Sequence, residues 1–315
     1  MKLLKAEWIR LKKKKAIYIL PMIPMIRGFS FIFSHYVFAN ELHQMEPDPQ
    51  VPFSGESFTI LLHWLRFDHI FVYTMEDILS TIYFFPLVLV GVLWIYDDLK
   101  HNILPRVSVL HRQKARYFGN KIISLVLYYA VVLLFYLLTF TMTSLLIPNV
   151  PAGELSVLLS ADTAKAFFIY YIACVFWGIA AMLITFVFNS AIAGATIVPF
   201  YLLVERVFTA ATSHTFQLPW LMYVNSYLPW ANFQSLFVYA FTDNWFWNDL
   251  SEPGPWLVLS YPQPGMYRLE EVTQGFMLPV PYLASIWFLI TVIAVYLAAI
   301  IYLCWRLYLY RMAKS

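Results

Sequence analysis

Residues 111–147 read HRQKARYFGNKIISLVLYYAVVLLFYLLTFTMTSLLI. Arg112, Lys114, Arg116 and Lys121 crowd the opening, and then 26 residues, 122–147, pass without a charge. As a helix that run is roughly 39 Å long, enough to cross a hydrocarbon core of about 30 Å with some tilt. A basic flank marks the cytoplasmic end of a span, because anionic lipid and the insertion machinery hold Lys and Arg inside. One stretch therefore predicts both a transmembrane helix and its direction.

Working outward, five further apolar runs read the same way: residues 16–39, 78–96, 166–188, 191–211 and 280–305. Six spans place both termini on the cytoplasmic side. Of 21 Lys and Arg residues, 16 then lie inside. They are Lys2, Lys5, Arg10 and Lys12 to Lys15 before the first span, Lys100 and Arg106 with the four named above in the inner loop, and Arg306, Arg311 and Lys314 in the tail. Of 18 Asp and Glu residues, 15 fall on the other side. The predicted fold class is an all-α integral membrane protein forming one transmembrane domain over residues 1–315. The predicted location is the inner membrane of a bacterial cell.

Composition agrees. The chain is 61% hydrophobic and 12% charged, against about 25% charge in soluble domains. The net charge of +3 is a topology signal and predicts no nucleic-acid partner; lipid is the solvent. Cys174 and Cys304 both fall inside spans and read as small apolar residues, which excludes a disulfide scaffold. Val37-Phe38-Ala39 resembles a signal-peptidase site, but the apolar run before it is longer than a cleaved signal needs. We read it as a retained first span.

Between the spans the predicted organisation is specific. Residues 1–15 form a basic surface helix, with Leu4, Trp8 and Leu11 on one face. Outward loops cover 40–77 and 212–279, and an inner loop covers 97–121. Pro86 falls near the middle of the second span. Asn189 and Ser190 form a tight inner turn. The fifth span meets Pro199 and then Glu205-Arg206, so its uncharged part is too short to cross alone. Either those two charges lie within the membrane or the helix stops early. Residues 218–241 read as re-entrant or interfacial helices, and 243–274 as polar loop.

Few motifs carry chemistry. No G-x-x-x-x-G-K-[ST] run, G-x-S-x-G elbow or H-E-x-x-H helix is present. His63 and His69 with Asp68 have the wrong helical spacing for zinc, which wants i, i+3 or i+4. His35 and His43 stand apart. No metal site, cofactor or catalytic residue is predicted for this chain.

The inner loop is the most informative segment. Ile103, Val107 and Leu110 make an apolar stripe behind Pro105, and a basic run then leads straight into the third span. A short amphipathic helix joined to two spans suits the transmission of a push from a soluble partner. An ordinary basic loop would explain the charges but not the stripe.

Leu104-Pro105-Arg106-Val107-Ser108-Val109-Leu110-His111-Arg112, followed by Gly119-Asn120-Lys121, resembles the coupling segment of ABC-2-type transporter permeases. There a Ser/Pro-Arg stretch precedes a Gly-x-Lys entry to the third span. The order of elements over nearly the whole chain is similar too. Family members usually carry Glu and a Gly-containing turn after the second span, where this chain has Asp97-Asp98 and His101-Asn102. The resemblance implies a cytoplasmic ABC ATP-binding subunit that holds ATP and Mg, a second permease subunit, and export of a substrate. It assigns ATPase contact to Leu104, Arg106, Val107, Leu110, Arg112 and Arg116.

Charges inside spans give a second set of candidates. Arg27 lies about halfway along the first span, and a charge there costs at least ~2.5 kcal/mol on insertion scales. Glu205 is a candidate counter-charge, with Arg206 as its competitor. The three read either as pathway charges or as structural ion pairs. Tyr128, Tyr129 and Tyr136 read as lipid-facing packing residues. Two other functions stay open at this point. An ion-coupled carrier would centre on Arg27 and Glu205, and a lipid-modifying enzyme on His63, Asp68 and His69.

Overall fold

The computed structural model describes residues 9, 14–44, 70–100, 114–147, 161–210, 224, 227–233, 236, 267–273, 276–281 and 286–314. Its helices are α1 (Lys15–Gln44), α2 (Ile70–Ser80), α3 (Phe85–Lys100), α4 (Lys114–Leu146), α5 (Ala161–Phe188), α6 (Ala191–Ala210) and α7 (Ile286–Lys314). Six stretches are long and apolar enough to span: Lys15–Val37, Ile82–Lys100, Tyr117–Leu146, Ala164–Phe188, Ala191–Phe208 and Trp287–Tyr310. The chain is a multi-pass membrane protein. Of the predicted N-terminal surface helix, residues 1–15, only Ile9, Lys14 and Lys15 are described, and positions 101–113 of the predicted inner loop lie outside the described residues.

Three departures from the sequence reading have physical causes. First, residues 70–77, assigned to an outward loop, belong to α2, whose Ile70, Phe71, Met75, Ile78 and Leu79 are buried. Second, Pro86 does not interrupt a span but starts one. Thr81 is extended, Ile82–Phe84 is a 3-10 turn, and α3 begins at Phe85. Proline is tolerated in a first helical turn, where its missing N–H would have no partner. Third, the chain is not wholly helical. Tyr267–Thr273 (β1) and Phe276–Pro281 (β2) form an antiparallel hairpin with Tyr267 opposite Pro281. Because residues up to Pro281 are paired in β2, α7 begins at Ile286 rather than 280.

The described chain divides into two compact units, Met1–Ala195 with Cys304–Ser315, and Thr196–Leu303. In the first unit α3 packs on α5, while α1 packs on α2, α3 and α4. The α3–α5 crossing is close because it is built on glycine. A Cβ on Gly91 would overlap the Gly178 carbonyl, and one on Gly178 would overlap the ring and hydroxyl of Tyr129. Small residues let spanning helices approach until dispersion holds them, which matters where lipid tails compete equally for apolar surface.

Helix α4 shows how such a segment sorts its faces. Leu127, Val131, Leu134, Leu138, Met142 and Leu145 are exposed, whereas Ser124, Tyr129, Tyr136 and Phe140 are buried. The outer face is apolar and the inner one carries the buried hydroxyls. Tyr128, Tyr129 and Tyr136 are therefore buried in the bundle, with their hydroxyls turned onto neighbouring helices, and do not lie on its outer face. Tyr128 donates to the Ile17 carbonyl at 2.6 Å, Tyr129 to that of Leu87 at 2.7 Å, and Tyr136 to that of Pro21.

The predicted turn at Asn189-Ser190 is present. Asn189 has φ 51°, and the Ser190 N–H donates to Thr185 O at 3.3 Å, a Schellman closure of α5. Ser190 Oγ then accepts from the Ala193 N–H at 3.3 Å, capping α6.

Gly91→Ala places a methyl group against backbone that cannot rotate away, and overpacking of this kind costs about 1–3 kcal/mol or more. Gly119 has open space around its Cβ position, so Gly119→Ala is expected to be neutral or to gain up to ~1 kcal/mol of helix propensity. Thermal unfolding of both variants in the same detergent checks the contrast.

Candidate functional site

The ends of α3 and α4 that flank residues 101–113 meet in a buried polar cluster. Asp98 sits in the last turn of α3, where a carboxylate faces the negative end of the helix dipole. Its compensation comes from α4: Lys121 Nζ lies 2.8 Å from Asp98 Oδ2, with side-chain exposures of 2% and 0%. The Tyr117 hydroxyl donates to the same carboxylate oxygen at 2.9 Å.

A ring of hydrogen bonds surrounds the pair. Lys121 Nζ donates to the Trp94 carbonyl at 3.3 Å, and Trp94 Nε1 donates to Ser124 Oγ at 2.9 Å. Ser124 Oγ in turn donates to the Lys121 carbonyl at 2.9 Å. One turn of α3 is thereby closed on one turn of α4. Tyr308, from the end of α7, lies over the cluster, its ring 5.3 Å from that of Phe118 and stacked at 6.4 Å on Tyr117. The aromatic cover excludes water and strengthens the ion pair beneath it. Chemically the cluster has no nucleophile set up for reaction, and no group of three or more His, Cys, Asp or Glu among the described residues could hold a metal. What the contacts show is a polar joint that ties α3 to α4.

Of the coupling residues named from sequence, Leu104, Arg106, Val107, Leu110 and Arg112 lie outside the described residues, and Arg116 is in the first turn of α4. His63, Asp68 and His69 also lie outside them. The helices run further into the inner loop than 97–121 allowed, since α3 continues to Lys100 and α4 starts at Lys114.

Arg27 and Glu205 have partners other than each other. Arg27 makes a two-pronged bridge to Asp77 at the end of α2, Nε to Oδ2 at 2.7 Å and a terminal NH2 to Oδ1 at 2.6 Å. The guanidinium also lies 5.4 Å from the Tyr83 ring centroid. Asp77, taken from sequence as the last loop residue, is thus the counter-charge. In the second unit Glu205 and Arg206 lie within α6, which does not stop early. Glu205 Oε1 accepts the Trp230 N–H at 2.6 Å and the Ala231 N–H at 3.2 Å. Those are early N–H groups of the helical turn at 229–233, whose preceding residue, Leu228, has no capping side chain. Arg206 stacks over Trp230, 4.1 Å from the ring centroid.

Sequence reasoning missed Asp98, Lys121 and Asp77 as partners. The signal for the first two was available, since opposite charges at the facing ends of consecutive spans are placed to meet. Nothing local marks Asp77, which is 50 residues from Arg27. Comparison with family models, curated proteins and solved structures finds no match to this chain.

Two outcomes follow from the geometry. Asp98→Leu or Lys121→Met alone leaves a buried partner uncompensated and should cost about 3–5 kcal/mol, while the two changes together should cost far less. Thermal denaturation of the four proteins in one detergent reads the coupling. Neutralising Arg27 or Asp77 alone should lower the folded yield in membranes, given ~2.5–3.5 kcal/mol for an unpaired charge at a helix centre. Exchanging the two (Arg27→Asp with Asp77→Arg) should recover it, as judged by monodisperse elution after extraction.

Proposed function

We propose that this chain is the membrane-spanning permease subunit of an ATP-driven ABC exporter of the ABC-2 type. It works in the inner membrane of a bacterium, with both termini in the cytoplasm. A separate cytoplasmic ABC subunit binds ATP and Mg and docks on the loop between the second and third spans. A second permease subunit, identical or homologous, completes the pathway. The cargo is a peptide, a lipid or a drug. The chain itself breaks no covalent bond.

The observation that carries this reading is the Asp98–Lys121 joint at 2.8 Å. A loop can transmit force only if its two stems move as one body, and this pair with its hydrogen-bond ring ties them together. The apolar stripe Ile103, Val107 and Leu110 in the sequence then offers the surface on which an ATPase would push. A helical turn at 229–233 capped by Glu205 supports re-entrant or interfacial helices before the last span. An ion-coupled carrier would need its intramembrane charges available to the ion, and Arg27 and Glu205 instead hold Asp77 and a helix end.

The test is purification of the tagged chain from its native membrane in mild detergent. A stoichiometric P-loop ATPase is expected, and Val107→Asp with Leu110→Asp should release it while the permease stays folded. A monodisperse, folded chain without any ATPase in several detergents would overturn the proposal and redirect work to gradient-driven transport.

A further inference from the structure

Beside the joint, α1, α3 and α4 enclose a cavity of about 390 Å³, within the range of about 300–1,000 Å³ of small-ligand sites. Tyr18 and Met22 of α1 and Val131 and Phe135 of α4 form its mouth and are 44–56% exposed, while Trp94 of α3 is buried at its floor. Tyr128 and Tyr136 also line it, yet both hydroxyls are turned into α1, onto the Ile17 and Pro21 carbonyls. The Trp94 indole N–H is likewise committed, to Ser124. The polar atoms of three wall residues thus point away, and the wall is apolar.

We infer that this groove binds one acyl chain of an anionic phospholipid whose headgroup sits at Lys15. Length fits first. The α4 wall runs from Tyr128 to Tyr136, roughly 12 Å at the helical rise, close to the ~15 Å of one leaflet's hydrocarbon. Charge fits next. Lys15, three residues before the lining residue Tyr18 and so on the same helical face, is exposed at the start of the spanning stretch, and Lys14 next to it donates to the Leu93 carbonyl at 2.8 Å. Cations at that level attract anionic headgroups. A second protein helix fits less well. Helix interfaces in membranes favour Gly, Ala, Ser and Thr, and the mouth residues Tyr18, Met22, Val131 and Phe135 include none of these. The inference needs only that the chain spans a membrane and is independent of the exporter reading.

The test uses the full chain in phosphatidylcholine vesicles holding a minority of phosphatidylglycerol and a trace of phosphatidylglycerol with a diazirine on its acyl chain. After irradiation, adducts are mapped by mass spectrometry. Adducts should concentrate around Met22 and Phe135 over more exposed apolar positions such as Phe200 and Val295. A phosphatidylcholine probe with the same chain should label the groove about fivefold less, and Lys15→Gln should lower phosphatidylglycerol adducts by about the same factor, as expected for one surface cation. Lys15 is exposed, so its loss leaves folding intact. Equal labelling at Phe200, Val295 and the groove would overturn the inference. So would labelling indifferent to headgroup and to Lys15→Gln. Disulfide-linked dimers of a Met22→Cys variant that abolish the adducts would assign the groove to a second copy instead.

Discussion

Hydrocarbon supplies no hydrogen bonds, so a polar group placed in it must find its partner within the protein. That constraint explains most of the specific contacts in this chain. Pro21 sits inside α1 and has no N–H to give to the carbonyl of Ile17, four residues earlier. Tyr128, reaching across from α4, donates to that carbonyl. The bond repairs the ladder and fixes α4 against α1 at the same time. Glu205 repeats the solution in the second unit, where it supplies acceptors to a helix start that has no cap of its own.

The glycine crossing depends on the same requirement. Tyr129 must reach the Leu87 carbonyl on α3, and its ring occupies the space that a side chain at position 178 would take. Gly178 makes room for the tyrosine, and Gly91 makes room for the Gly178 carbonyl. One hydrogen bond therefore dictates two glycines on two other helices. This is why the inner face of α4 is the chemically distinctive one, although its outer face is the more hydrophobic.

The spans were legible because a length of uncharged residues is itself the physical requirement for crossing. All six recur in the structure, within a few residues of their predicted bounds except at the second and the last. Those two failed for local reasons. Glu76 and Asp77 made the end of α2 look like solvent-exposed loop, when Asp77 is the counter-ion that lets Arg27 enter α1. Residues 280 and 281 were counted into the last span, but strand pairing in Phe276–Pro281 claims them first. Turn chemistry at Asn189-Ser190 was legible because αL geometry and capping are local. Partner choice was not: Arg27 with Asp77, and Tyr128 with Ile17, are set by which helices the bundle brings together.

The Asp98–Lys121 pair sits at the other extreme from a stabilising device. Two charges removed from water lose several kcal/mol each before their attraction returns any of it, and matched apolar side chains often hold helices as well or better. What the pair adds is selectivity. At 2.8 Å, with Tyr117, Trp94 and Ser124 completing the donors and acceptors, it is satisfied in one rotation and one height of α3 against α4. A slide of one residue, or a turn of about 100°, would strand both charges under an aromatic cover. An apolar seam would tolerate such slippage at small cost. On the proposed exporter reading, a joint that carried displacement into two spanning helices would gain more from refusing slippage than from added stability, and an ion pair at this position meets that need.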